Sequence, residues 1–228
     1  MEKKCKKRVW WGIGLLAVFG LWTVLVCTVD VQRIGPRESS VGFATLNRYL
    51  HAGTGVNMLL YHITDWLSLV PIAVALGFAM LGFWQLICRK SLRKVDHSIL
   101  VLGGFYVVVI AVYLLFEGVV INDRPILIEG KLEASYPSST TMLVMCVMPT
   151  AAMQLSRRMK HVVFKRCVVL ASIAFTAFMV VGRFLSGVHW TTDIIGGIML
   201  SAGLVMLYSA FEGGAFWKDV STKRSPLL

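Results

Sequence analysis

The feature that most constrains this chain is a succession of long apolar runs separated by short clusters of lysine and arginine. The runs lie at roughly 9–29, 67–88, 98–119, 139–155, 167–182 and 191–211. Each is near the ~20 residues that a helix needs to cross hydrocarbon. Hydrophobic residues make up 57% of the 228 residues and charged ones 15%, more apolar surface than a soluble core of this length requires. The expected fold is therefore all-α: a polytopic membrane protein with six transmembrane helices, forming a single transmembrane domain over 1–228.

Charge sets the expected orientation. Seventeen basic residues fall in four clusters: Lys3 to Arg8, Arg89 to Lys94, Arg157 to Arg166, and Lys218 to Arg224. The positive-inside rule assigns these to the cytoplasmic face, so both termini are predicted inside. A formal net charge of +11 raises nucleic acid as a partner, but the clustering between apolar runs is that of membrane loops, and no nucleic acid partner is expected. The first apolar run is too long for a cleaved signal sequence and is read as an uncleaved span. Many basic inner loops without a targeting peptide fit a bacterial plasma membrane. Segment 41–66 mixes apolar and polar residues at near-helical spacing, which predicts an interfacial amphipathic helix on the outer side.

The five cysteines show neither CxxC spacing nor a histidine partner, so neither disulfide nor metal is expected. Trp10, Trp11, Trp66, Trp190 and Trp217 sit at predicted span ends, as an aromatic belt would place them. Gly196, Gly197, Ser201 and Gly203 predict close packing of the last span. His51, His62, His97 and His161 lack a partner spacing and are read as structural or solvated.

Three outer stretches carry concentrated polar chemistry: Glu117 to Pro125 (EGVVINDRP), Tyr136 to Thr141 (YPSSTT) and Gly182 to Asp193 (GRFLSGVHWTTD). In the third, His189 and Asp193 are four apart and share a face if the last helix begins near Val188. A carboxylate there fixes the imidazole tautomer and prepares it as nucleophile or base. Arg183 supplies a planar, permanently charged donor suited to phosphate oxygens. Ser138 and Ser139, at a helix start, offer hydroxyls and free amides as an anion cradle, with simple capping as the plainer reading.

These stretches, in this order, resemble the type 2 phosphatidic acid phosphatase (PAP2) superfamily of membrane lipid phosphatases. That pattern runs Lys, six residues, Arg-Pro; then Pro-Ser-Gly-His; then Ser-Arg, five residues, His, three residues, Asp. Here Arg124-Pro125, Pro137-Ser138, Arg183, His189 and Asp193 match it, within a core of about 98–212. The resemblance implies that His189 forms a phosphohistidine, that Asp193 orients it, and that Arg124, Arg183 and Ser138 bind the phosphoryl group, with Ser139 joining them from the helix start. It calls for no metal and no cofactor. The implied partners are the bilayer and a membrane lipid phosphate.

Three positions depart from the pattern. Glu117 stands in place of the lysine, Gly182 in place of the serine before the arginine, and Ser139-Thr140 in place of Gly-His. The family's motif-two histidine protonates the leaving alcohol, and the hydroxyl of Thr140 is far too weak an acid to do so. A diphosphate leaves as an anion that needs little protonation, which favours an isoprenoid lipid diphosphate as substrate. Glu117 is a provisional alternative acid. The alternative from another class is a catalytically impaired relative that binds phospholipid headgroups as a lipid-binding, lipid-moving or regulatory protein.

Overall fold

The computed structural model describes residues 2–223, with side chains described over 5–212. The side chains of Lys3, Lys4, Trp217, Lys218 and Lys223, and all of Arg224, lie outside the described residues. Helix α1 (Glu2–Thr28) is followed by a two-stranded antiparallel hairpin of β1 (Gln32–Arg33) and β2 (Ser40–Val41). Then come α2 (Ala44–Thr54), α3 (Met58–Leu67), α4 (Leu69–Arg89), α5 (His97–Gly118), α6 (Ser139–Arg158), α7 (Val162–Leu185) and α8 (Thr191–Lys223).

Five segments are long and apolar enough to cross a membrane: Cys5–Thr28, Met58–Arg89, His97–Gly118, Val162–Leu185 and Thr191–Glu212. The second joins α3 to α4 through Ser68, which keeps a right-handed helical conformation. The remaining predicted run became α6, whose 20 residues are length enough to span. Its composition is the reason it stands apart. Thr140, Thr141, Thr150 and Gln154 are buried against its neighbours, so α6 is the polar interior helix of the bundle.

Segment 41–66 forms two helices. Asn57 ends the first connection and caps α3 by accepting from the Leu60 amide at 2.9 Å. Gly55, with φ 62°, takes the left-handed turn between them at a position where other residues are strained.

Helix α1 packs along α8 through reciprocal notches. A side chain at Gly12 would meet Leu207 at 2.7 Å, and one at Gly203 would meet Leu16 at 2.8 Å. Gly196 likewise leaves room for the ring of Tyr136, and Gly197 for Thr141. These small residues perform the packing role expected of them.

The basic clusters and the polar motifs occupy opposite ends. At one end Cys5 donates to Ala210 O, Arg157 pairs with the buried Glu212 at 3.0 Å, and Arg89 pairs with Asp96 at 2.9 Å. Gln154 joins that end by donating to Tyr208 and to Ser98 O. At the other end the segments after α1, α5 and α7 converge. The five cysteines are free.

Candidate active site

The site is assembled by a short hairpin between α5 and α6 that the sequence reading did not foresee. Bridges pair Asp123 with Ala134 and Ile128 with Lys131. The turn residues Glu129 and Gly130 both have positive φ, 50° and 76°, as the tight hairpin turns that match strand twist require. Backbone bonds from Arg124 N to Glu133 O (3.0 Å) and from Ser135 N to Asn122 O (2.8 Å) fix the register. Side chains two apart on a strand share a face, which presents Asn122 and Arg124 together with Ser135 from the opposite arm.

Asp193, in the first turn of α8 and fully buried, collects donors on both oxygens. Asn122 Nδ2 at 3.1 Å and Thr192 Oγ1 at 3.4 Å reach Oδ1. Ser135 Oγ at 2.5 Å and Trp190 N at 2.9 Å reach Oδ2. The backbone carbonyl of Asp193 accepts from Ser138 N at 3.0 Å. This ties the start of α6 to the start of α8.

His189 and Asp193 are adjacent but do not share a helix face as expected. Helix α8 begins at Thr191, so His189 lies in the linker before it. Nδ1 is 4.0 Å from Asp193 Oδ2, too long for a hydrogen bond. Ser135 fills the gap, with its Oγ 2.9 Å from His189 Nδ1. A serine hydroxyl has one hydrogen. Once that hydrogen is given to the Asp193 carboxylate, Nδ1–H must be the donor to Ser135 Oγ, which leaves the lone pair on Nε2. Nε2 faces Arg124, whose NH1 is 3.4 Å away. Burial, with Arg124 and Arg183 nearby, holds the imidazole well below its usual 6.5. His189 is therefore neutral at physiological pH, the state in which an imidazole can act as nucleophile or base.

Arg183 ends α7 with 2% of its surface exposed. Its NH2 donates to Asp65 Oδ1 at 3.0 Å and to Thr140 Oγ1 at 2.6 Å, and its guanidinium lies 5.0 Å from the Tyr61 ring centre. Nε and NH1 have no partner among the described residues. Arg124 Nε lies 3.0 Å from Glu133 Oε2, close enough for an ion pair but not aligned for a hydrogen bond. Two guanidiniums in mutual electrostatic reach, with buried nitrogens lacking hydrogen-bond partners among the described residues, make a place suited to an anion. Each unsatisfied buried donor costs roughly 1–3 kcal/mol, more for a charged group, until an acceptor arrives.

Other expected residues fall into place differently. Thr140 lies inside the site, as the acceptor for Arg183. Ser138 caps α6, its Oγ accepting from Thr141 N at 3.5 Å, and its own amide is taken by Asp193. Capping therefore accounts for Ser138. Ser139 and Glu117 line a narrow cleft of about 20 Å³ beside Ser135 and Pro137, Glu117 from the exposed end of α5.

Trp190 corrects the aromatic-belt expectation. It is buried, donates Nε1 to Asp123 O at 2.8 Å and packs on the His51 ring, whereas Trp10, Trp11 and Trp66 are exposed. His51 Nε2 bonds Gly187 O at 2.9 Å, a structural part. Asn47, fully buried, bonds Gly42 O and the Thr192 hydroxyl and amide.

Residues missed by sequence reasoning are Ser135, Asn122, Asn47 and Asp65. The Glu129-Gly130 turn was the available signal for the first two, because a two-residue turn fixes which side chains oppose.

Residues 119–217 match the PAP2 superfamily. The fold is similar to the crystal structure of a transmembrane PAP2-type phosphatidylglycerolphosphate phosphatase from Bacillus subtilis. The TM-score is 0.57 and the identity 18%, over 94% of this chain and 98% of that one. No curated protein matches the chain in sequence.

Proposed function

We propose that this chain, whose residues 119–217 match the PAP2 superfamily, is a member of it and a membrane lipid phosphatase working through a phosphohistidine. The observation that carries the reading is the buried His189, its Nδ1 tied through Ser135 to Asp193 and its Nε2 turned toward Arg124. Nε2 attacks phosphorus in line. Arg124 and the unpaired nitrogens of Arg183 take the equatorial oxygens, where charge develops. Water then releases phosphate.

The bundle has six spans in this reading, with α6 as the interior one. The end carrying the basic clusters is cytoplasmic, and the site opens at the outer leaflet of the plasma membrane. A bacterial origin agrees with the basic inner loops. An apolar cavity of about 580 Å³ among α6, α7 and α8, walled by Met145, Val180 and Ile198, begins within two helical turns of Thr140 and Arg183. Such a groove suits the hydrocarbon part of a lipid whose headgroup sits on the arginines.

An isoprenoid lipid diphosphate is the preferred substrate. Thr140 only accepts a hydrogen bond from Arg183 and supplies no acid. The leaving group must then depart without a proton, as a phosphate monoester anion does and an alkoxide does not.

The test is phosphate release in detergent from phosphatidic acid, phosphatidylglycerolphosphate, an isoprenyl monophosphate and an isoprenyl diphosphate, with His189→Ala and Thr140→His alongside. Diphosphate turnover lost in His189→Ala, with monoester turnover gained in Thr140→His, is the expected result. Absence of any His189-dependent release overturns the enzyme reading and leaves a headgroup-binding protein.

A further inference from the structure

Asp65 belongs to none of the three motif stretches and lies outside residues 119–217, yet it shares a nitrogen with the motif-two position. Arg183 NH2 donates both to Asp65 Oδ1 and to Thr140 Oγ1, so the carboxylate and the threonine crowd the same side of one guanidinium. Their surroundings differ. Thr140 is buried, while the Asp65 side chain is 54% exposed. Tyr61, one helical turn before it, lies in electrostatic reach of Asp65, Arg124, Arg183 and Glu133, so Asp65 belongs to the same polar chamber as the anion site.

The chemistry separates two half-reactions. An aspartate paired with a guanidinium is a carboxylate, which can accept a proton but has none to donate. It therefore gives no help to a leaving alkoxide, but it can take the proton from a water molecule attacking the phosphohistidine. We propose that Asp65 is the base of this second step; the proposal rests on the phosphohistidine reading above. As the water oxygen bonds to phosphorus, its proton passes to the Asp65 carboxylate. The Nε2–P bond breaks, its electron pair returns to Nε2, and phosphate leaves. The proton on Asp65 is then lost to solvent. Its position on Arg183 keeps the base beside the cation that holds the phosphoryl oxygens.

The test is rapid-quench labelling with isoprenyl diphosphate carrying 32P in the terminal phosphate, for wild type, Asp65→Asn, Asp65→Glu and His189→Ala. In Asp65→Asn, label is expected to accumulate toward one phosphoryl per chain. Its hydrolysis should slow by about 100-fold or more, while the labelling rate falls by less than about tenfold. Hydroxylamine, a nucleophile that needs no base, should discharge the trapped label, and Asp65→Glu should restore part of the hydrolysis.

Equal loss of labelling and hydrolysis in Asp65→Asn would mean that Asp65 only anchors Arg183, and unchanged hydrolysis would remove any role. Both overturn the proposal while the wild-type label still stands. Wild-type turnover with no label in any protein overturns the phosphohistidine reading itself, and the Asp65 role with it.

Discussion

Replacing Ser135 by alanine removes the hydroxyl that, among the described residues, links His189 to Asp193 within hydrogen-bond reach, because the direct Nδ1–Oδ2 distance is 4.0 Å. The bond lost is one to a charged group, worth about 1.5–3 kcal/mol. At about 1.4 kcal/mol per factor of ten, the attack step should slow by roughly 10- to 150-fold. The relevant assay is the single-turnover rate of enzyme labelling, which isolates attack from hydrolysis. A double-mutant cycle sharpens the result. If Asp193 acts on the imidazole through Ser135, Asp193→Asn should cost far less in the Ser135→Ala background than alone. A change below about threefold in Ser135→Ala, or full additivity with Asp193→Asn, would refute the relay.

Three further outcomes are expected. His189 is held well below 6.5 by burial and two arginines, so its lone pair persists as pH falls through 6.5. The acid limb of the labelling rate should lie below that value and move upward in Arg124→Ala; a limb at 6.5 or above in wild type contradicts the geometry. Asn47→Ala strips three hydrogen bonds from a fully buried site and should destabilise the protein by about 1–3 kcal/mol, seen as earlier thermal unfolding in detergent. Gly187 has φ +66°, and a Cβ there would lie 1.9 Å from Gly55 O. Gly187→Ala must therefore displace the linker carrying His189, and lipid turnover should fall by at least tenfold while His189 remains.

The apolar runs were legible because spanning hydrocarbon demands length and composition, both of which are local properties of a sequence. Helix α6 showed the limit of that rule. A helix enclosed by other helices can carry Thr140, Thr150 and Gln154 inside a membrane bundle, so its apolar signal was short. Arg183, His189 and Asp193 stood out by their spacing because all three lie around one helix junction, whereas Arg124 stood out by its motif and comes to them on the hairpin. Ser135, Asn47 and Asp65 did not, since each reaches the site through tertiary packing from a segment whose own pattern reads as connection or interface. Trp190 misled for the same reason. At a span end a tryptophan can face lipid or turn inward, and here the bond to Asp123 on the hairpin turns it inward.

In the proposed mechanism His189 becomes covalently phosphorylated. The most direct measurement is mass spectrometry of protein quenched at high pH during turnover of an isoprenyl diphosphate. The expected result is a single acid-labile, alkali-stable phosphoryl group on the peptide containing His189, absent in His189→Ala. Robust wild-type turnover with no such group, or the same group in His189→Ala, would contradict it.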